Sequence, residues 1–437
     1  MNPLRRSFDL AFRSPPAIRA AQERLLAEHV RQCRRAPFYR KLLAGAAPAS
    51  AKRFPLARLG ELPFTTKADL EARNDDFLAT PRAAVRDIVQ SSGTTGLPTR
   101  MMYTARDLER LGYNEAVCFK GCGMGPGDRV LLTCTLDRCF VAGFAYCLGA
   151  QAVGAASVRS GLNLVEGHAL VMALQKPTFV VGVPGFLRKL GRHLHDLGHP
   201  PRGLRGLICI GDPLRDAEMR PTALTREMES LWSAPAFSTY SSSEIVTSFC
   251  ECSARCGGHA APDLGIWEIV DEAGRALPPG KTGEIVVTPL GVEGMPLVRF
   301  RTGDIGYLLD EPCACGRKTP RLSPILGRRA HMLKVQGTAF YPATVFEVLN
   351  NMPEVGEYYL EVEGEGLVDR ACVHMSVNAK GAGWKQKIED RLRTRLRVKI
   401  GVCLEAEELV RRRVYSPHSR KPIRFFDLRA DGGGAKG

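Results

Sequence analysis

The pattern of apolar and polar positions between residues 85 and 245 makes strand-like and helix-like segments alternate along the chain. Short apolar runs read as strands. DIVQ (Asp87–Gln90) is the end of one, and RVLLTC (Arg129–Cys134), AVGAASV (Ala152–Val158), TFVVGV (Thr178–Val183) and LICIGD (Leu207–Asp212) follow. Between them, Val141–Ala150, Gly167–Leu174, PGFLRKLGRHLHDL (Pro184–Leu197) and Ala217–Leu231 place apolar residues at helical spacing. Strands and helices in turn predict a parallel sheet with covering helices. Residues 1–80 read as helical and irregular, with AAQERLLAEHVRQC (Ala20–Cys33) as an amphipathic helix. From 265 to 305 short strands take over, and IWEIVDE (Ile266–Glu272) and GEIVVTPL (Gly283–Leu290) flank a Gly/Pro turn. The last hundred residues run helix, strand, strand, helix, strand, the pattern of a small α+β domain. The boundary falls near GRRAH (Gly327–His331).

At 437 residues the chain exceeds one average domain, and two is the natural count. No apolar run reaches the length of a membrane span. MNPLRRSFDLAFRSPP lacks the apolar core of a signal peptide, so a cytoplasmic protein with no membrane partner is expected. The net charge of +15 suits polyanionic small molecules such as ATP or coenzyme A. Basic residues are spread out, with only short runs such as Arg411–Arg413, and no nucleic-acid signature accompanies them. No nucleic-acid partner is therefore expected. Fourteen cysteines without a secretory signal do not read as a disulfide framework. Cys134, Cys147 and Cys209 sit in apolar contexts and read as small buried hydrophobes. Cys250, Cys252, Cys256, Cys313 and Cys315 are clustered.

SSGTTGLPT (Ser91–Thr99) follows the strand that ends at Gln90. Glycines let backbone N–H groups approach a ligand closely, and hydroxyls add donors that rotate toward phosphate oxygens. Such loops form anion-binding concavities. It is not a Walker loop, since it contains no lysine. The plain alternative is a surface turn. The density of Ser91, Ser92, Gly93, Thr94, Thr95 and Gly96 favours phosphate.

Further motifs follow in order: YSSSE (Tyr240–Glu244), RFRTGD (Arg299–Asp304), GRRAHMLKVQG (Gly327–Gly337) and HSRKPIRFFDLR (His418–Arg429). Together with SSGTTGLPT they resemble the phosphate loop, the aromatic–Gly–x–Ser/Thr–Glu motif, the YRTGD motif, the hinge and the mobile-lysine segment of the adenylate-forming superfamily. APFYRK (Ala36–Lys41), PFTTKADL (Pro63–Leu70), the short YxxSE form and the KPIRFFDLR ending resemble its phenylacetate–CoA ligase family. The resemblance covers about residues 36–429. It implies an α/β fold in which residues 1–327 form a large N-terminal AMP-binding domain with mixed sheets covered by helices. Residues 328–429 would form a small mobile α+β lid, and 430–437 a disordered tail.

The resemblance also implies roles. Ser91, Ser92, Gly93, Thr94, Thr95 and Gly96 would embrace the phosphates of ATP. Glu244 would hold Mg²⁺, a hard ion that takes oxygen ligands. Tyr240 would stack on adenine, with Gly211 and Asp212 also in the nucleotide site. Asp304 would accept from both ribose hydroxyls, and Arg328 would sit near the nucleotide. Lys421 would bridge the carboxylate and the α-phosphate during adenylation, with Ser243 and Glu244 completing the catalytic set. Gly337 would lie against the pantetheine arm of coenzyme A. The family often carries Cys-x6-His followed by Cys-x-Cys-Gly-Arg, which Cys252, His259, Cys313 and Cys315 match, implying a structural Zn²⁺ site. Cys250 and Cys256 compete as ligands.

The resemblance thus implies ATP-dependent activation of a small carboxylic acid, then thioester formation with coenzyme A. Phe186, in GVPGFL (Gly182–Leu187), falls near the aromatic position of the acid pocket and favours an aryl acid. Four departures from the family pattern stand out: Ala330–His331 in place of the hinge aspartates, Ser241 for glycine, Arg420 for the glycine before Lys421, and Asp212 for glutamate. The first motivates two alternatives, acyl transfer to a carrier protein or an amine. A non-catalytic nucleotide-binding homologue is a further reading, which the presence of Glu244, Asp304 and Lys421 opposes. The resemblance leaves room for a homodimer.

Overall fold

The computed structural model describes residues 8–45, 50–91, 99–335, 338–365, 368–379, 381–415 and 422–429. The chain forms two compact units. One comprises Met1–Thr302 and Gly306–Pro324, the other Gly303–Ile305 and Ile325–Gly437. The predicted boundary stood at residues 327/328.

The first unit opens with helices α1 (Pro15–Cys33), α2 (Pro37–Leu42) and α3 (Lys67–Arg73). Proline at the first turn starts α1 and α2, where its missing N–H costs nothing. In PFTTKADL, Thr66 and Asp69 form a capping box that starts α3. Strands β1 (Val85–Gln90) and β2 (Arg100–Thr104) pair antiparallel, and α4 (Ala105–Gly121) follows behind a second capping box, Thr104 with Asp107. Strand and helix then alternate: β3 (Arg129–Leu132), α5 (Val141–Ala152), β4 (Ala156–Arg159), α6 (Val165–Gln175), β5 (Phe179–Gly182), α7 (Pro184–Asp196), β6 (Gly206–Cys209), α8 (Ala223–Trp232) and β7 (Ala236–Ser241).

These strands pair parallel in the order β4-β3-β5-β6-β7. The period of two decides the packing. Val130, Leu132, Phe179, Val181 and Ile208 bury into a core with Phe119, Tyr146 and Ala150 of α4 and α5. The intervening Leu131, Val180, Leu207 and Cys209 bury into a second core with Leu187 and Leu190 of α7 and Met228 and Trp232 of α8. Helices thus cover both faces, as parallel sheets require. Cys134 and Cys147 lie in the first core and Cys209 in the second, as small hydrophobes.

Beyond β7 the sheet turns antiparallel through β8 (Ser248–Glu251) and β9 (Gly258–His259). Strands β10 (Gly265–Val270) and β11 (Gly283–Pro289) pair antiparallel, matching the two runs read from the sequence. Strand β12 (Phe300–Gly306) carries the chain across the boundary between units. Then β13 (Leu308–Leu309) and β14 (Arg321–Leu322) extend the mixed sheet beside β9.

One predicted helix starts later than expected. Residues 217–221 form a turn in which Asp216 accepts from the backbone N–H of Glu218 and Arg220. The helix begins only after Thr222, whose hydroxyl caps Thr225. The aspartate's local bonds compete with the helical ladder.

In the second unit, β15 (Gly327–Arg328) pairs with residues 304–305. The chain continues through β16 (Leu333–Val335), β17 (Thr338–Phe340), α9 (Pro342–Asn350), β18 (Val355–Glu365), β19 (Val368–Val377), α10 (Trp384–Leu396), β20 (Gly401–Leu404), α11 (Glu407–Val414) and β21 (Phe425–Asp427). The main sheet runs β20-β19-β18-β21. Leu360, Val373, Met375 and Val402 pack with α9 and α10, while Tyr359 packs with Val410 and Val414 of α11 on the other face. Among the described residues no helix is long and apolar enough to cross a membrane.

Candidate active site

Strands β1 and β2 end at Gln90 and begin at Arg100, so SSGTTGLPT connects a hairpin. Its neck is clasped: the Ser91 N–H donates to the Thr99 carbonyl at 2.9 Å, and the two hydroxyls lie 2.8 Å apart. Ser92, Gly93, Thr94, Thr95 and Gly96 lie outside the described residues.

YSSSE ends β7 and opens the turn to β8. Tyr240 stands half-buried opposite Phe249, with ring centroids 6.4 Å apart. The turn is gripped from below by α4 and β2, a support that the sequence reading missed. Tyr103 donates its hydroxyl to the Ser243 carbonyl at 2.9 Å. The Arg110 guanidinium donates to the carbonyls of Leu290 at 2.7 Å and Leu264 at 2.5 Å, and also to that of Val246. Asn114 Oδ1 accepts from the Thr247 hydroxyl at 2.9 Å and the Ser248 N–H at 3.1 Å. Val246 takes φ +48°, a left-handed backbone that a β-branched residue adopts only when its surroundings hold it there. The turn presents Glu244, whose residue is only 7% exposed. This carboxylate makes no hydrogen bond to a described residue. A carboxylate fixed on such a turn, with no donor engaging its oxygens among the described residues, suits a hard divalent ion.

Gly211 and Asp212 follow β6 in an exposed loop, where Gly211 takes φ +91°. Three residues on, Arg215 reaches back into the sheet and forms a buried two-point pair with Glu251 of β8, at 3.0 and 3.1 Å. Glu251 also accepts from the Ser238 N–H at 2.9 Å. The pair ties the Gly211 loop to β7 and β8.

The arginines of RFRTGD are structural. Arg299 lies under the β10 edge, two-point bonded to Glu268 at 2.9 Å and stacked 4.0 Å over Phe64 of PFTTKADL. Arg301 pairs with Glu284. Within the second unit, Asp304 and Arg328 face each other across β12 and β15, with Nε to Oδ1 at 3.0 Å. Asp304 is buried and Arg328 largely exposed, so the carboxylate is presented by a neighbouring cation. Ala330 and His331 lie in a short 3₁₀ turn. The His331 ring packs on Phe425 at 4.8 Å, and burial together with the Arg328 charge lowers its pKa. Gly337 and Lys421 lie outside the described residues.

Phe186 begins α7 half-buried, its ring edge-on to His168 at 5.2 Å, and it packs against the second core. This contact serves packing as much as any pocket.

The thiol cluster assembles in the first unit. Cys252, His259, Cys313 and Cys315 bring one ligand atom each within 4.8 Å of one another. The Cys252 and Cys313 sulfurs are 3.6 Å apart, and Cys315 Sγ lies 3.4 Å from His259 Nε2. Nδ1 of the same ring is held by the Thr319 hydroxyl at 3.0 Å, an outer partner that orients the imidazole. Burial, aided by Arg317 and Arg321, takes His259 down to about 3, so the ring stays neutral with a lone pair to offer. Three thiols and a neutral imidazole at this spacing fit tetrahedral zinc. Cys250 instead packs against Cys122 at 3.5 Å, and Cys256 stands outside the group, its carbonyl taken by Arg321.

The AMP-binding enzyme family model matches residues 45–292, and the model for the AMP-binding enzyme C-terminal domain matches 337–429. A phenylacetate-coenzyme A ligase of Thermus thermophilus is 33% identical over 370 residues, covering 83% of this chain and 82% of its own. One from Aromatoleum evansii is 30% identical over 374 residues, 84% and 83% of the two chains. The crystal structure of 2-hydroxyisobutyryl-CoA ligase in the postadenylation state superposes with a TM-score of 0.79 at 22% identity, covering 94% of this chain and 89% of that one. In its thioesterification state, with CoA, the TM-score is 0.66 at 23% identity, covering 95% and 92%. The chain belongs to the AMP-binding, adenylate-forming enzymes, in the phenylacetate–CoA ligase family.

Proposed function

We propose that this protein activates a small carboxylic acid with ATP and passes the acyl group to coenzyme A. The carboxylate oxygen attacks the α-phosphorus, pyrophosphate leaves, and an acyl adenylate forms. The coenzyme A thiolate then attacks the acyl carbon and AMP leaves. The observation that carries this reading is the Glu244 carboxylate, fixed by its clamped turn and left without a hydrogen-bond partner among the described residues. The relatives named phenylacetate-coenzyme A ligase support it.

Mg²⁺ held by Glu244 would neutralise phosphate charge that builds as pyrophosphate departs. Ser91, Ser92, Gly93, Thr94, Thr95 and Gly96 would donate to the phosphates, with the Ser91–Thr99 clasp fixing the loop's base. Tyr240 would stack on adenine beside the Gly211–Asp212 loop, and Ser243 would hold the turn through its carbonyl. Asp304 would take the ribose hydroxyls, with the Arg328 guanidinium beside it. Lys421 would stabilise the pentavalent phosphorus, and Gly337 would line the path of the pantetheine. Residues 328–429 would act as the moving lid. Zn²⁺ on Cys252, His259, Cys313 and Cys315 would be structural, since four protein ligands close the site. An aryl acid is favoured by Phe186, and the protein would work in the cytoplasm.

The test is ATP–pyrophosphate exchange over a panel of carboxylic acids without coenzyme A, on wild type and Lys421→Ala. Acid-dependent exchange is expected, falling by about 10²–10³ in the variant, the scale for losing one transition-state donor. Folded wild type that exchanges with no acid overturns the proposal. Ala330, where the family pivot has aspartate, favours a second reading. Exchange without thioester on adding coenzyme A would move the acceptor to a carrier protein or an amine.

A further inference from the structure

The second unit carries a cysteine–histidine cluster that neither the nucleotide chemistry nor the first thiol cluster uses. Cys372 and His374 lie on β19, and Cys403 lies on β20. The parallel register sets His374 beside Cys403, and Cys372 beside Gly401. Residues two apart on a strand share a face, and so do registered partners. Cys372, His374 and Cys403 therefore leave one face of the sheet, while Val373 and Val402 point into the core on the other.

Their ligand atoms all lie within 4.8 Å of one another, with the two sulfurs 3.3 Å apart. Two thiolates on one tetrahedral zinc, each about 2.3 Å from it, sit roughly 3.8 Å apart. Small side-chain rotations bridge that difference. The imidazole is already oriented: its Nδ1 lies 2.5 Å from the Glu405 carboxylate, and its ring stacks on Tyr359 at 4.7 Å with a 1° tilt. A carboxylate behind a histidine is the recurrent outer partner of a metal-bound imidazole.

A disulfide is the obvious rival, and the register opposes it. Cys403 is offset two residues from the position facing Cys372. With strands about 4.8 Å apart and a rise of about 3.3 Å per residue, the two Cα atoms are roughly 8 Å apart. Beyond about 7 Å a bridge needs backbone movement.

We propose that Cys372, His374 and Cys403 form a second Zn²⁺ site on the second unit, with Glu405 orienting His374 and the fourth coordination position open to solvent. Cys403 is exposed. Three protein ligands and solvent access make this ion exchangeable, unlike one enclosed by four ligands.

The test is equilibrium dialysis of the reduced full-length chain against buffered Zn²⁺, with metal counted per chain. Cys372→Ser/Cys403→Ser is expected to bind one equivalent less than wild type, whatever the first cluster holds. Glu405→Gln is expected to keep the equivalent and weaken it by about 10–100-fold. An unchanged thermal midpoint checks that the double variant folds, and His374→Ala serves as the second ligand variant. Equal zinc in wild type and the cysteine double variant overturns the proposal. So does a Cys372–Cys403 disulfide found by peptide mapping of protein purified without reductant.

Discussion

Strands β5 and β6 are buried at every position and carry Phe179, Val180, Val181, Leu207, Ile208 and Cys209. Strands β8 and β9, in the same sheet, are just as buried, yet carry Ser248, Glu251 and His259. Equal burial is reached by different chemistry. In the parallel half, each side chain is stabilised by leaving water, and a change costs what it removes plus the cavity. In the antiparallel half, each polar group depends on a named partner, and losing one leaves the other stranded. Glu244 and the Cys252–His259 pair sit in the half built on partners.

The sharpest way to break this comparison is Arg215→Ala. It leaves the buried Glu251 carboxylate bound, among the described residues, only by a backbone N–H, and the expected loss is about 3–5 kcal/mol in urea unfolding. A loss below 1 kcal/mol would mean that burial, not pairing, holds this half. On the apolar side, Ile208→Ala is expected to cost about 3 kcal/mol while leaving exchange per folded molecule unchanged. A specific activity that falls with it would dissolve the division between the halves.

Glu115 tests the boundary between them. Burial, partly offset by Asn114 and Ser248, pushes its carboxyl up to about 7 from an ordinary 4.5. The folded chain holds this proton where the unfolded chain has lost it. Stability contributed by this group therefore falls as pH rises from about 4.5 through about 7. Glu115→Gln is expected to raise stability at pH 8 by up to about 3 kcal/mol and to change little at pH 4, measured by paired denaturation curves. The reverse order of effects would refute the assignment. The smallest effect is expected at the surface, where Arg192, exposed on α7, pairs with the half-buried Glu227 on α8. Arg192→Ala is expected to cost less than about 1 kcal/mol, and added salt to shrink it further.

The same contrast explains what could be read from the sequence. The parallel half announced itself because local periodicity encodes it: TFVVGV became Phe179–Gly182, and PGFLRKLGRHLHDL became Pro184–Asp196. The zinc-like cluster was legible because Cys252 and His259, like Cys313 and Cys315, are close in sequence. Arg215 with Glu251, and Arg110 with three distant carbonyls, leave no spacing to detect, since each partner is set by tertiary structure alone. Cys372, His374 and Cys403 escaped for the same reason, because only strand register brings the third residue to the other two. The helix at Glu407–Val414 was missed, its eight residues too few for a clear period.

The Arg110 clamp has a consequence for how the protein is made. Its partners lie 136, 154 and 180 residues further along the chain. At roughly 5–20 residues per second, a ribosome takes on the order of ten seconds or more to deliver the last of them. Until Leu290 emerges, the Arg110 guanidinium lacks the last of its three carbonyl partners. The clamp is therefore closed late in synthesis, when the segment that ends at Leu290 joins the helix that carries Arg110.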